Sequence, residues 1–315
     1  MDWRVKGAIQ KVLGYMPGGS YVHHALQRRA GGLKDFAREC DTKIDDWRLM
    51  MGHLQQAGLD VEGATLVEVG TGWYPTFPFC LYLCGAGFVH TFDLQRLLKR
   101  DMVRMLVERL GWQRAIVAKV SGRRDAELQT RLQSLAHAVE RGATLADATD
   151  GVVAYRAPAD AARTALPAGS VDAVFSNSVL EHVPPPEIER IFGEAMRILR
   201  PGGVMFHSVN CGDHYAYVDP SIDQLHYLQY SDDAWQRWNN PFLYQNRLRA
   251  RDFIDLARRA GFTIELDTSR PSPERLARLD ALRVDPKFDV YTREQLAITS
   301  IDFIARKPTA PSARE

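Results

Sequence analysis

Apolar residues at the start of the chain recur at helical spacing. Val5, Ile9, Val12 and Leu13 form one series, Pro17-Gly18-Gly19 interrupts it, and Trp47, Met50, Met51 and Leu54 form a second. Residues 1–62 are therefore expected to be a helical extension. Beyond it the pattern shortens into apolar runs of strand length, at Ala64 to Val69, Phe88 to Asp93, Val152 to Tyr155, Val171 to Ser176, Val204 to Ser208, Phe262 to Leu266 and Thr299 to Ala305. Between them lie stretches of helical period, Leu94 to Leu110, Pro186 to Leu199 and Arg251 to Ala260, and a polar segment, about 121–150, expected as a mostly helical surface insertion. Strand and helix alternate, which predicts an α/β domain over 63–310 with a mostly parallel sheet covered by helices on both faces. One segment breaks the rhythm: residues 209–248 carry eight aromatics in 40, twice the chain average of 10%, and are expected to form a lid or substrate wall. Residues 311–315 read as a polar tail.

The 315 residues hold 45% hydrophobic and 25% charged residues, which excludes a disordered or collagenous chain. Forty Lys and Arg against 39 Asp and Glu leave a net charge of +1, no field for nucleic acid, and the expected partner is a small molecule. Cys40, Cys80, Cys84 and Cys211 are too scattered for a disulfide framework, which points to a reducing cytoplasm. Cys80 and Cys84 fit small core residues. The start of the chain lacks the order of a signal peptide, and Pro75, Pro78 and several glycines break the long uncharged stretch Val69 to Phe92, so no spanning helix is expected. From Met1 to Lys34 there are six basic residues and one acid, Asp2. That imbalance fits peripheral contact with an anionic membrane, although a helix packed over the active site is the simpler expectation.

The chemistry concentrates in Leu66-Val67-Glu68-Val69-Gly70-Thr71-Gly72-Trp73-Tyr74-Pro75, a strand ending in an acid, two glycines and a helix start. Tyr74 stands where a dinucleotide fingerprint has its third glycine. Asp93 follows the second strand 21 residues beyond Gly72, where a carboxylate can grip both ribose hydroxyls. Further on come Val171-Asp172-Ala173-Val174-Phe175-Ser176, Val179-Leu180-Glu181-His182-Val183 and Arg197-Ile198-Leu199-Arg200-Pro201-Gly202-Gly203. Together these motifs, over roughly 64–210, resemble the class I S-adenosylmethionine-dependent methyltransferases, especially a small-molecule branch with Leu-Glu-His-Val after the fourth strand. The resemblance implies a Rossmann-like seven-stranded sheet. It implies S-adenosylmethionine as cofactor, S-adenosylhomocysteine as product, and donor contacts from Glu68, Gly70, Thr71, Gly72 and Trp73. It also implies Asp93 at the ribose beside Leu94, Asp160 near the adenine, and Ser176 and Asn177 close to the sulfonium. The rings of Trp73 and Tyr74 either wall the methionine end or pack the first helix onto the extension.

A sulfonium methyl is already activated, so holding the acceptor in line, within about 3 to 3.5 Å, supplies much of the rate. An oxygen or nitrogen acceptor must also lose a proton, and a nearby base helps. His207, His214 and His182 are the candidates, with His226 a fourth histidine near the same sheet edge. Some relatives with Glu-x-x-Glu-His at the fourth strand bind a divalent metal. Here Ser178 replaces the first acid, so no metal is expected, and Asp213, Asp219 and Asp223 lack ligand spacing. Glu181 and His182 are instead expected to orient the loop Pro184-Pro185-Pro186. Tyr215, Tyr217, Trp235, Trp238, Tyr244, Asn246 and Arg247 are the candidate acceptor contacts, with Trp235 and Trp238 equally suited to the lid's own core. The expected acceptor is a specialised metabolite, a quinone-like or lipid precursor, or a sugar. Two competitors are a nicotinamide-dependent oxidoreductase and a non-catalytic partner subunit with this fold.

Overall fold

The seven apolar runs become seven strands: β1 (Thr65–Val69), β2 (Phe88–Phe92), β3 (Val153–Arg156), β4 (Val171–Asn177), β5 (Leu199–Asn210), β6 (Thr263–Asp267) and β7 (Ser300–Arg306). They form one sheet in the order β3-β2-β1-β4-β5-β7-β6. The pairs from β3 to β5 are parallel, and β7 runs antiparallel to both β5 and β6. This computed structural model describes residues 2–16, 22, 32–240 and 242–309; the expected Pro17-Gly18-Gly19 turn and the tail 311–315 lie outside the described residues.

The helices are α1 (Trp3–Tyr15), α2 (Phe36–Gln56), α3 (Thr76–Cys84), α4 (Arg100–Trp112), α5 (Arg114–Ser121), α6 (Asp125–Glu140), α7 (Leu145–Ala148), α8 (Pro185–Ile198), α9 (Asp232–Gln236), α10 (Ala250–Arg259), α11 (Pro273–Asp280) and α12 (Arg293–Ala297). Alternation along the strands divides the core into two layers. Leu66 and Phe175 face a layer with Ile44, Trp47, Phe79 and Leu106, while Val67 and Val174 face Ile188, Phe192, Phe253 and Phe303. Each such fully buried side chain contributes roughly 1.5–3 kcal/mol. Cys80 and Cys84 lie in the first layer as free thiols. The 121–150 segment is helical as expected, but α6 buries Leu128, Leu132, Leu135, Ala138 and Val139 in that same layer. It is part of the domain core as well as of its surface.

A third cluster belongs to the aromatic segment. Tyr215, Tyr227, Trp235, Phe288 and Leu296 are buried together, and Trp3 of α1 is buried with them. The helix therefore docks by a face its apolar spacing does not mark. Trp3, Gly7 and Gln10 are inside, and Val5, Ile9 and Val12 point outward. Two arginines brace the segment, Arg249 against the stretch before β7 and Arg247 within the segment itself. Arg249, fully buried, donates through Nη1 to Cys211 O at 2.6 Å and the Tyr227 hydroxyl at 2.7 Å, and through Nη2 to Leu296 O at 2.9 Å and to Ile298 O. Arg247 donates to Tyr227 O at 3.0 Å, Tyr230 O at 2.5 Å and Asp232 Oδ1 at 2.5 Å. Arg249→Met is expected to lower unfolding free energy by about 3–5 kcal/mol, since it leaves buried carbonyls without donors. Denaturant unfolding checks this, and a loss under about 1 kcal/mol contradicts it.

Candidate active site at the C-terminal edge of the sheet

The parallel strands end together at one edge, where β1 turns into its glycine loop. Gly70 has φ 86° and Gly72 φ 70°, a region costly for side chains. The two glycines have different surroundings. A Cβ on Gly70 would lie 2.5 Å from a Val179 methyl, whereas one on Gly72 would meet nothing within 4 Å. Gly72 therefore faces open space, a cradle that a ligand can approach to main-chain contact. Asp93 borders it. Its Oδ2 accepts from Gly72 N and its Oδ1 from Gln95 N, both at 2.9 Å, and burial raises its pKa against those two bonds. Each oxygen keeps a second lone pair for a hydroxyl. Ala159 N donates to Asp93 O at 2.8 Å, which brings half-buried Asp160 alongside, its Oδ1 accepting from Ala162 N at 2.8 Å. Leu94 stands exposed at the rim.

Glu68, at the end of β1, is buried and accepts from the Thr91 hydroxyl, which also meets the hydroxyl of Thr71. Burial pushes its carboxyl up to about 8 despite the Thr91 bond. Trp73 packs partly buried against the first core layer. Tyr74 turns to the extension: its ring lies 4.9 Å from Phe36 and its hydroxyl donates to Glu39 Oε1 at 3.3 Å. The second of the two readings of that ring is the one the structure adopts.

Strand parity separates Ser176 from Asn177. Ser176 faces the α8 layer with its hydroxyl 2.7 Å from His207 Nδ1, and His207 lies between Phe192 and Phe303, its pKa pulled by burial to about 3. β5 continues three residues past His207 to Asn210, so this histidine sits inside a strand and not at its end. Asn177 faces the other way and accepts from Lys43 Nζ of α2. Sequence reading missed Lys43. Its signal was a lysine within the apolar stripe of Cys40, Ile44 and Trp47.

The turn after β4 holds the remaining chemistry. Glu181 is 3% exposed, and among the described residues neither carboxyl oxygen has a hydrogen-bond partner. The N–H groups of Glu181 itself and of Asn210 face it without closing a bond, and burial raises its pKa to about 8. His214 Nε2, also buried without a partner, lies 4.0 Å from Glu181 Oε1, and burial lowers this imidazole to about 3. His182 Nδ1 is 2.7 Å from Tyr244 O, which makes Nδ1 the protonated nitrogen, and its ring centre is 4.8 Å from that of His214. Glu181, His182 and His214 bring one ligand-type atom each within 4.8 Å of one another.

Residues 244–246 splint this group. Asn246 N donates to Glu181 O at 3.0 Å, and its Nδ2 donates to Leu180 O at 2.7 Å and Val183 O at 2.9 Å. Gln245 Oε1 accepts from His214 N at 3.1 Å. Tyr217 is exposed beside His214, and Trp238 is half-buried against Trp3. Tyr215, Trp235 and Arg247 serve the lid core. Asp213 pairs with His226 Nδ1 at 2.8 Å and not with its sequence neighbour. Asp219 accepts from Trp3 N at 2.9 Å, and Asp223 from Leu225 N at 2.8 Å.

A family model described as a methyltransferase domain matches residues 131–207. The matched stretch runs from within α6 to β5 and covers less than half of the chain. The chain is similar in fold to an S-adenosylmethionine-dependent methyltransferase from Mesorhizobium loti, at 17% identity over 80% of this chain and 94% of that one, TM-score 0.43. It is similar also to a geranyl diphosphate methyltransferase in complex with S-adenosylmethionine, at 16% identity over 90% and 94%, TM-score 0.47. A third likeness is to the cyclase SpnF, at 18% identity over 84% and 82%, TM-score 0.45. No curated protein sequence matches the chain. Among the described residues no helix is long and apolar enough to cross a membrane.

Proposed function

We propose that this protein transfers the methyl group of S-adenosylmethionine to an oxygen or nitrogen of a small-molecule acceptor. One observation carries the reading: the bare cradle at Gly72 shares a sheet edge with a buried carboxyl and imidazole that lack partners. Buried polar atoms without partners are rare and call for a ligand. The donor supplies a methyl group on a positively charged sulfur, already activated for displacement.

The chain's residues do the rest. Asp93 accepts from the ribose hydroxyls, Gly72 allows main-chain approach while Gly70 makes room for Val179, and Glu68 with Thr71 stiffens the loop from below. Asp160 borders the adenine end, and Lys43 fixes Asn177 at the mouth. His214 and Glu181 form the proton-accepting pair for the acceptor, and His182, held by Tyr244 O, offers its free Nε2 as a second acceptor of a hydrogen bond. Tyr217, Trp238 and the 244–246 strip form the opposing wall. This assignment leaves His207 a core residue.

Thermal unfolding separates the function classes. S-adenosylhomocysteine at 100 times its dissociation constant is expected to add about 2.7 kcal/mol of stability. NADH is expected to add none. Stabilisation by NADH alone would establish an oxidoreductase, and stabilisation by neither a non-catalytic subunit.

A further inference from the structure

Each long helix of the N-terminal extension brings one lysine to the group formed by Glu181, His182 and His214. Lys43 of α2 stands at the Glu181 end. Its ammonium donates to Asn177 Oδ1, and Asp46 Oδ2 lies 3.9 Å away, beyond hydrogen-bond reach, so among the described residues two of its three donors stay open. Its charge acts on both buried carboxyls, Glu68 under the donor loop and Glu181 on the turn after β4. Lys6 of α1 stands at the His214 end. It is half-buried beside Gly7, where the helix seats so closely that a Cβ on Gly7 would come 2.9 Å from the Tyr215 hydroxyl. Burial lowers the pKa of Lys6, with the charge of Asp213 opposing, and Lys6 adds to the burial that lowers His214. Among the described residues its ammonium has no hydrogen-bond or salt-bridge partner.

The acids nearby leave these two charges largely unanswered. Asp213 acts on Lys6 only at a distance, because its oxygens are engaged by His226 Nδ1 and Tyr215 N, each at 2.8 Å. Glu181, raised by burial to about 8, is protonated at neutral pH, and burial keeps His182 and His214 neutral. Both Glu181 oxygens and His214 Nε2 are buried without partners among the described residues. Partly buried ammonium groups beside orphaned polar atoms are costly until a ligand supplies the missing negative charge. The donor would add a third positive charge at its sulfur. A purely cationic acceptor would therefore meet like charge from three groups, whereas an anion meets complementary charge.

We propose that the acceptor carries an oxyanion, a carboxylate or a phosphate, held between Lys6 of α1 and Lys43 of α2 beside Glu181 and His214. The inference rests on the methyltransferase reading and narrows it to one class of acceptor. It also gives the N-terminal extension a task in recognition, since both lysines come from there. The rings of Tyr217, beside His214, and of Trp238 offer an apolar surface for the rest of such a molecule.

Calorimetric titration of benzoate, phenyl phosphate, benzyl alcohol and benzylamine into the full chain tests it, with and without saturating S-adenosylhomocysteine. One of the two anions is expected to bind at least about tenfold more tightly than the alcohol and the amine, and the tighter anion tells carboxylate from phosphate. Lys6→Met and Lys43→Met are each expected to weaken that anion at least about tenfold with the melting temperature kept, and Lys6→Arg to restore it. Equal affinity for the anions and benzyl alcohol, or unchanged anion affinity in either methionine variant, overturns the proposal. A Lys43→Met variant that loses affinity for S-adenosylhomocysteine while holding the anion assigns Lys43 to the donor's own carboxylate and overturns it too. Absence of S-adenosylhomocysteine binding to the parent instead sinks the methyltransferase reading, and the donor-free titration still reads the preference for anions.

Discussion

Asp93→Ala is expected to leave a folded protein that binds S-adenosylhomocysteine about 100-fold more weakly. The carboxylate has two tasks, and both fail together. It would grip the ribose, where a hydrogen bond to a charged group is worth roughly 1.5–3 kcal/mol. It also ties Gly72 N and Gln95 N, each at 2.9 Å, and so holds the glycine loop in its open shape before a donor arrives. A loss near 2.7 kcal/mol corresponds to the 100-fold change. Asp93→Asn keeps one acceptor oxygen and is expected to fall between the two. Titration calorimetry reads the affinity, and an unchanged value in the alanine variant removes Asp93 from the ribose site.

The second large effect concerns proton transfer. Glu181, raised by burial to about 8, holds a proton at neutral pH and releases it as pH rises through that value. His214, lowered to about 3, stays neutral throughout. The pair can therefore take a proton from the acceptor mainly above pH 8, and kcat/KM for an acceptor hydroxyl or ammonium is expected to rise with pH to a plateau there. Glu181→Gln should flatten that rise. His214→Ala should lower kcat about 10² to 10⁴-fold with donor affinity unchanged. Wild-type rates in both variants sink the proton-accepting role. Loss of wild-type activity with a chelator would reassign Glu181, His182 and His214 to a cation.

Much of this architecture was readable in advance. The central strands β1, β4 and β5 follow from short apolar runs, because burial on both faces of a parallel sheet needs continuous Val, Ile, Leu and Phe, whereas the antiparallel edge strand β6 alternates exposed and half-buried residues. The glycine loop and Asp93 were readable because a main chain with positive φ tolerates few other residues. What escaped has physical causes. His207 lies inside β5 because the strand outlasts its apolar run, and hydrogen bonding to β7 continues through polar Ser208 and Asn210. Asp213 finds His226 across thirteen residues, a pairing that spacing does not encode. Lys43 reaches Asn177 from α2 because an amphipathic stripe says which face is buried but not what lies opposite. For α1 the apolar face was legible, but its direction was not, since one tryptophan and one glycine settled the docking.

The contact between Val179 and the bare Cα of Gly70 has a further consequence. It sets the turn carrying Glu181 and His182 directly against the glycine loop, so a side chain added at position 70 would have to displace Val179. On the proposed reading, variation in which acceptor is taken is expected on the far bank at exposed side chains such as Tyr217, with His214, Gln245 and Asn246 kept. Engineering for new acceptors should begin on that bank and spare Val179.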